Sequence, residues 1–205
     1  MSLDLPLPII YPITSGSTIL QLVEAAVAAK VPLFQIREKN LSARALYELT
    51  TRAAEITRGS NTRLLVNDRS DIARAAGADG VHLTSRSLPA DVVRKIYGPE
   101  FLIGVSTHSL EEARAAQAGG ADFVVFGPVF ETESKLEFGA PQGLSRLAEV
   151  TSELRPFPVV AIGGITFENA GACFEAGASG VAAIRLLNDT ERMSSIVVGL
   201  RSVYQ

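Results

Sequence analysis

Gln35, Arg37 and Lys39 alternate through the stretch Leu33-Phe34-Gln35-Ile36-Arg37-Glu38-Lys39, and that spacing has a chemical use. Residues two apart on a strand share a face, so one amide and two cations would line up while Phe34 and Ile36 turn into an apolar layer. Such a face clamps phosphate oxygens, because guanidinium and ammonium groups bind them through charge-assisted hydrogen bonds. The same pattern also suits an ordinary solvated edge strand. What the rest of the chain places beside it decides between the two.

Short runs rich in Val, Ile, Leu and Phe alternate along the chain with Ala-rich, charge-decorated runs of helical period. The pattern predicts strands over 8–14, 33–39, 63–68, 80–83, 101–107, 123–129, 158–164 and 180–184. Helices are predicted over 17–30, 42–58, 71–76, 89–97, 110–118, 144–154, 167–175 and 190–203, with Ser42 an N-cap. Three helix-to-strand junctions repeat one another: Gly77-Ala78-Asp79-Gly80-Val81, Gly120-Ala121-Asp122-Phe123-Val124 and Gly177-Ala178-Ser179-Gly180-Val181. Each puts glycine where a helix must stop. Near-continuous apolar strands such as Phe123-Val124-Val125-Phe126 fit a parallel sheet buried on both faces. Eight strand–helix units in 205 residues predict one α/β domain over 1–205, a small (β/α)8 TIM barrel. A doubly wound open sheet is second, since no Gly-x-Gly-x-x-Gly element follows the first strand.

In such a barrel, chemistry sits at the carboxyl ends of the strands. Those ends carry Gln35, Arg37 and Lys39; Asn67 and Asp68; His82 with Thr84-Ser85-Arg86-Ser87; Ser106-Thr107-His108; Thr132, Ser134 and Lys135; Gly163-Gly164; and Ile184-Arg185. Gly163-Gly164 is either a cradle of backbone N–H groups for an anion or a tight turn into the next helix. Lys135 is a second anion ligand or a solvated lysine. Asp68 offers hard oxygens to Mg2+, or caps the helix that follows. His82 reads as a satisfied core histidine, and His108 as a residue that caps or orients its loop. No Ser-His-Asp order and no His-Glu-x-x-His motif is present. Together these ends point to a phosphorylated or pyrophosphorylated small molecule.

Composition narrows the classes. Hydrophobic residues make up 47% and charged residues 20% of the chain, and the net charge is −3. That is a globular composition without the basic excess of a nucleic-acid-binding surface. A single cysteine, Cys173, rules out an internal disulfide and reads as a small buried thiol. No apolar run reaches the length of a membrane span, and the first residues lack a signal-peptide pattern, so a cytoplasmic, soluble protein is expected. A homo-oligomer is compatible with all of this.

Six ordered motifs resemble those of thiamine phosphate synthases and the related TenI-type thiazole tautomerases. They are Gln35-Ile36-Arg37-Glu38-Lys39, Val66-Asn67-Asp68, Gly77-Ala78-Asp79-Gly80-Val81-His82-Leu83, Gly104-Val105-Ser106-Thr107-His108, the run from Gly127-Pro128 to Ser134-Lys135, and Ala161-Ile162-Gly163-Gly164-Ile165. The resemblance implies a (β/α)8 barrel that couples an aminopyrimidine methyl diphosphate to a thiazole phosphate and releases pyrophosphate with Mg2+. It further implies that Gln35, Arg37, Lys39 and Asn67 hold the diphosphate and that Asp68 binds the metal. Ser106 and Lys135 would stabilise the departing pyrophosphate. Thr132, Ser134, Gly163, Gly164, Ile184 and Arg185, with His108, would line the substrate site.

The chain also departs from that pattern. Ser87 stands where synthases place a second Mg2+-binding aspartate, and Arg86 precedes it. The segment after the fourth strand, and Ser109-Leu110-Glu111-Glu112, look more like the tautomerase branch. That branch carries a histidine after the glycine of strand six, where this chain has Pro128, and it tends to lose the Gln-x-Arg-x-Lys clamp kept here. A synthase is therefore expected, with a thiazole phosphate tautomerase or a non-catalytic binder of thiamine intermediates as alternatives.

Overall fold

The computed structural model describes residues 5–16, 18–132 and 141–204. Strands β1 (Ile9–Pro12), β2 (Leu33–Ile36), β3 (Arg63–Asn67), β4 (Gly80–Leu83), β5 (Leu102–Thr107), β6 (Phe123–Phe126), β7 (Val159–Ile162) and β8 (Gly180–Ala183) alternate with eight helices. The helices are α1 (Ile19–Ala28), α2 (Ala43–Thr57), α3 (Ser70–Ala75), α4 (Ala90–Tyr97), α5 (Leu110–Ala118), α6 (Gly143–Leu154), α7 (Ala170–Glu175) and α8 (Met193–Val203). All strand pairs are parallel, from β2 through β8, and β8 returns to β1 with Ile9 opposite Gly180. A bridge between Ile13 and Gln35 joins β1 to β2. This closure excludes the open sheet.

Alternation along the strands builds two concentric apolar layers. Ile10, Phe34, Ile36, Val66, Val81 and Val124 face outward and pack under the helices. Tyr11, Leu33, Leu65, Leu102, Phe123 and Val160 face inward and fill the barrel. The predicted direction of Phe34 and Ile36 is thus the observed one.

Most departures from the predicted boundaries have a local cause. β2 stops at Ile36 rather than 39, because the Arg37 N–H donates to Thr14 Oγ1 (2.9 Å) instead of continuing the ladder. Arg37 and Lys39 therefore lie beyond the strand and do not share a strand face with Gln35. β6 ends before Gly127-Pro128, since proline has no N–H for a ladder. α8 starts at Met193, not 190, because the Asp189 carboxylate accepts the N–H groups of Glu191 and Arg192 (both 3.1 Å) in a preceding turn. Ser42 caps α2 as expected, accepting the Ala45 N–H at 3.2 Å.

The repeated junctions lie at the amino ends of the strands. Gly77, Gly120 and Gly177 adopt φ of 76°, 82° and 87°, the left-handed turn that ends a helix without a Cβ penalty. In two of them the aspartate then serves the neighbouring strand. Asp79 accepts the Leu64 N–H at 2.8 Å, and Asp122 accepts the Ile103 N–H at 2.7 Å.

Candidate active site

Gln35, Asn67, His82 and Ser106 occupy inward-facing positions on successive strands, above the apolar fill. Three of them join a hydrogen-bonded row with Tyr11. Gln35 Nε2 donates to the Tyr11 hydroxyl at 2.9 Å, the Tyr11 hydroxyl lies 3.2 Å from His82 Nδ1, and His82 Nε2 lies 2.8 Å from Ser106 Oγ. Burial holds the Tyr11 phenol far above its ordinary range, against the smaller opposing effect of the Gln35 amide, so it remains a donor. With the tyrosine oxygen accepting from Gln35, its hydrogen goes to His82 Nδ1, and the ring's proton then sits on Nε2. In that tautomer His82 donates to Ser106 Oγ, and the serine keeps its own hydrogen for another acceptor. His82 is 3% exposed with both ring nitrogens engaged, the satisfied core histidine expected from the sequence. Nothing in the sequence marks Tyr11 as a site residue: it reads as one more apolar strand residue, and nothing local pairs it with a histidine 71 positions away.

Asp68 follows β3 with φ 64°, the left-handed region that aspartate tolerates better than most side chains. Its N–H donates to the His82 carbonyl (2.8 Å), and its Oδ1 accepts from Ser87 Oγ at 2.5 Å. Ser87 Oγ in turn accepts the Thr84 N–H at 2.8 Å. Asp68 does not cap α3, whose N-cap residue is Arg69 and has no side-chain cap bond. The carboxylate is instead exposed at the mouth, beside the residue that replaces the second acid.

Across the mouth, the Thr14 hydroxyl donates to Glu38 Oε1 at 2.6 Å, tying the loop after β2 to the end of β1. Half-burial lowers the proton affinity of Arg37, and Glu38 partly restores it. The guanidinium still stays charged at neutral pH. Lys39 is exposed beyond it. His108 turns to the next strand, with Nδ1 hydrogen-bonded to the Gly127 carbonyl (2.5 Å), and its N–H donates to Glu112 (2.6 Å). A carbonyl only accepts, so that nitrogen carries the proton.

Gly163 and Gly164, at φ 100° and 63°, turn the chain after β7 against the loop after β6. A Cβ on Gly163 would lie 2.5 Å from Pro128 Cα, and one on Gly164 2.5 Å from the Glu131 carbonyl oxygen. Close packing thus requires both glycines, whatever else they hold. Ile184 packs on the inner layer. Arg185 instead lines a groove of about 300 Å³ with Phe167, Asp189 and Arg192. Thr132 is partly buried at the last described position of its loop, and Ser134 and Lys135 lie outside the described residues.

The profile of the thiamine monophosphate synthase family, TMP-TENI, matches residues 8–187. The chain belongs to this family. A putative thiamine-phosphate synthase of Geobacter sulfurreducens is 49% identical over 82% of this chain and 79% of its own length. A thiamine-phosphate synthase of Moorella thermoacetica is 40% identical over 98% and 95%. Among solved structures, a thiamine phosphate pyrophosphorylase from Pyrococcus furiosus superposes with a TM-score of 0.84 at 34% identity, covering 95% of this chain and 94% of its own. Membership of the thiamine monophosphate synthase family agrees with the closed eight-stranded barrel and with a mouth whose polar groups sit at strand ends. Among the described residues no helix is long and apolar enough to cross a membrane, and no cluster of three or more His, Cys, Asp or Glu is placed to hold a metal ion.

Proposed function

We propose that this chain is a transferase that joins an aminopyrimidine methyl diphosphate to a thiazole phosphate, giving thiamine phosphate and pyrophosphate in the cytoplasm. The observation that carries the reading is the row Gln35–Tyr11–His82–Ser106, which ends on the Ser106 hydroxyl near the carboxyl end of β5. Relatives named thiamine-phosphate synthase that cover nearly the whole chain support it.

In this reading, Arg37, Lys39 and Asn67 bind the diphosphate and Ser106 donates to the oxygen that gains charge. The bond from the pyrimidine methylene carbon to oxygen breaks, and its electron pair leaves with pyrophosphate. The thiazole nitrogen then supplies the pair for the new carbon–nitrogen bond. Fixed donors aimed at a developing anion lower such a barrier more than they bind the ground state. Lys135 and Ser134 belong to the same proposal, Lys135 at the leaving pyrophosphate. Thr132, Ser134, Gly164, Ile184 and Arg185 line the thiazole phosphate side, and Gly163 and His108 are further substrate-binding residues in the same proposal.

Mg2+ fits the donor set. Asp68 gives one Oδ1 lone pair to Ser87 and keeps Oδ2 for a cation, and magnesium commonly takes one or two carboxylates together with substrate phosphates. When bound, the ion would neutralise charge on the leaving diphosphate. Ser87 holds Asp68 in place without adding a charge, so metal affinity is expected to depend on the diphosphate. In the variant Ser87→Asp, the Mg2+ concentration giving half-maximal rate is expected to fall several-fold. An unchanged titration would place Ser87 away from the metal.

The deciding assay incubates both phosphorylated substrates with the protein, with and without Mg2+. Mg2+-dependent formation of thiamine phosphate with equimolar pyrophosphate is expected. Absence of coupling would overturn the reading, and turnover in a thiazole aromatisation assay would then assign the chain to the tautomerase branch.

A further inference from the structure

The barrel closes at a weak seam. Every other pair of neighbouring strands is in register over three or four residues, whereas β1 and β2 meet at the single bridge from Ile13 to Gln35. Thr14, 1% exposed, reinforces the seam just beyond that bridge. Its N–H donates to the Gln35 carbonyl at 3.0 Å, its Oγ1 accepts the Arg37 N–H at 2.9 Å, and its hydroxyl donates to Glu38 Oε1 at 2.6 Å. The residues on either side of Thr14 are held from the loop after β8, where Asn188 Nδ2 donates to the Ile13 carbonyl (3.0 Å) and to Ser15 Oγ (3.4 Å). Glu38 is the odd member of this stretch. A carboxylate between Arg37 and Lys39 repels the anion those cations would bind. Among the described residues no ion pair joins it to Arg37; its Oε1 goes to the buried Thr14 hydroxyl instead.

We infer that Thr14 and Glu38 form a latch that positions Arg37 for the diphosphate. The inference rests on the reading of Arg37 given above and adds two residues to it. One hydroxyl fixes the N–H of Arg37 and the side chain of the next residue, so the backbone on both sides of the Arg37 Cα is held. The guanidinium is thereby offered from a fixed root, and less ordering is left to be done when the anion arrives. Placement matters more for arginine than for lysine, because its planar fork binds phosphate oxygens through directed bonds. Both latch residues act through Arg37 and are positioning residues. The two properties of Glu38 then have opposite signs. Its hydrogen bond to Thr14 favours anion binding by holding the loop, and its charge opposes it.

Calorimetric titration of the full chain with inorganic pyrophosphate in the presence of Mg2+ tests this without turnover. Thr14→Val is expected to weaken binding about tenfold, and Glu38→Ala, which leaves the buried residue intact, to do likewise. Thr14→Ser should restore most of the loss. Glu38→Gln, whose amide oxygen still accepts from Thr14 but carries no charge, should bind at least as tightly as the wild type. In an Arg37→Ala background, Thr14→Val should cost nothing further, because the two act as one unit. In the coupling assay, Thr14→Val should raise KM for the diphosphate substrate and leave KM for the thiazole phosphate unchanged. Equal weakening in Glu38→Gln and Glu38→Ala would make Glu38 a counter-charge and overturn the latch. So would a Thr14→Val loss that persists in full without Arg37. Pyrophosphate binding unchanged in Arg37→Ala would overturn the latch together with the Arg37 assignment. The expected binding pattern without any coupling would overturn the synthase reading alone and support the latch.

Discussion

The two ends of the barrel treat aspartate in opposite ways. At the amino ends of the strands, Asp79 and Asp122 each accept a backbone N–H from the neighbouring strand and an arginine, Arg63 and Arg94 respectively. At the carboxyl ends, Asp68 is exposed in a left-handed backbone conformation and steadied by the hydroxyl of Ser87. The first arrangement satisfies a charge and closes the fold. The second holds a carboxylate in place and leaves an oxygen for something else. With the chemistry at the mouth as proposed, stability and chemistry are separated along the barrel axis, so each should be breakable without the other.

The largest separation is expected at Arg37. Arg37→Ala should cut coupling turnover by roughly 10²–10³-fold, as for loss of one donor to a developing anion, while stability shifts by about 1 kcal/mol or less. Turnover near wild type would remove Arg37 from the diphosphate site. The converse comes from the other end. Arg94→Met should cost roughly 3 kcal/mol in denaturant unfolding, because it leaves the Asp122 carboxylate without its cation, yet leave turnover of the folded enzyme unchanged. That loss has a pH signature. Burial already raises the Asp122 carboxyl above its ordinary range, more than the Ile103 N–H and Arg94 lower it. A group whose folded-state value lies above the unfolded one favours the fold below the unfolded value and loses that contribution as pH rises through the folded value. The penalty of Arg94→Met should therefore be smallest in acid and grow as pH rises through the carboxylate range. A penalty flat with pH would show that Asp122 is not the group left behind.

Tyr11→Phe lies between the two ends and should affect both. It leaves the Gln35 amide and His82 Nδ1 without their buried partner, at about 1–3 kcal/mol of stability. Turnover should fall less than in Ser106→Ala, because the tyrosine acts through the histidine tautomer. The smallest effect is expected at Cys173. Burial pushes its thiol up to about 12, so a thiol reagent should label it only after unfolding, and Cys173→Ala should turn over like the wild type. Rapid labelling of the native protein would contradict the packing of α7.

All eight strand–helix units were legible in the sequence, because hydrophobic period and glycine stops are local signals. Element ends were less so. Where β2 stops depends on Thr14, a residue from another strand that takes the Arg37 N–H. In the candidate site, the positions of Gln35, Asn67 and Ser106 followed from strand alternation. The partnership of Tyr11 with His82 did not, since it joins strands that neither pair nor adjoin in sequence. The replacement at Ser87 was visible as a departure from a motif. Its bond to Asp68 required the fold.

The loop after β6 begins and ends at a single point. Gln142 and Gly143 donate their N–H groups to the carbonyls of Pro128 and Val129, at 2.7 and 3.1 Å, while the N–H groups of Val129 and Phe130 donate to those of Ile162 and Gly163. The first residues of the segment are thus stitched to the end of β7 and its last residues to its own start, in both cases by backbone atoms alone. Because closure entropy grows slowly with loop length, residues can be added or exchanged between these stitches at little cost to the barrel. With Ser134 and Lys135 acting at the phosphates as proposed, exchange of this one cassette would change the chemistry at the mouth while the scaffold beneath it stays the same.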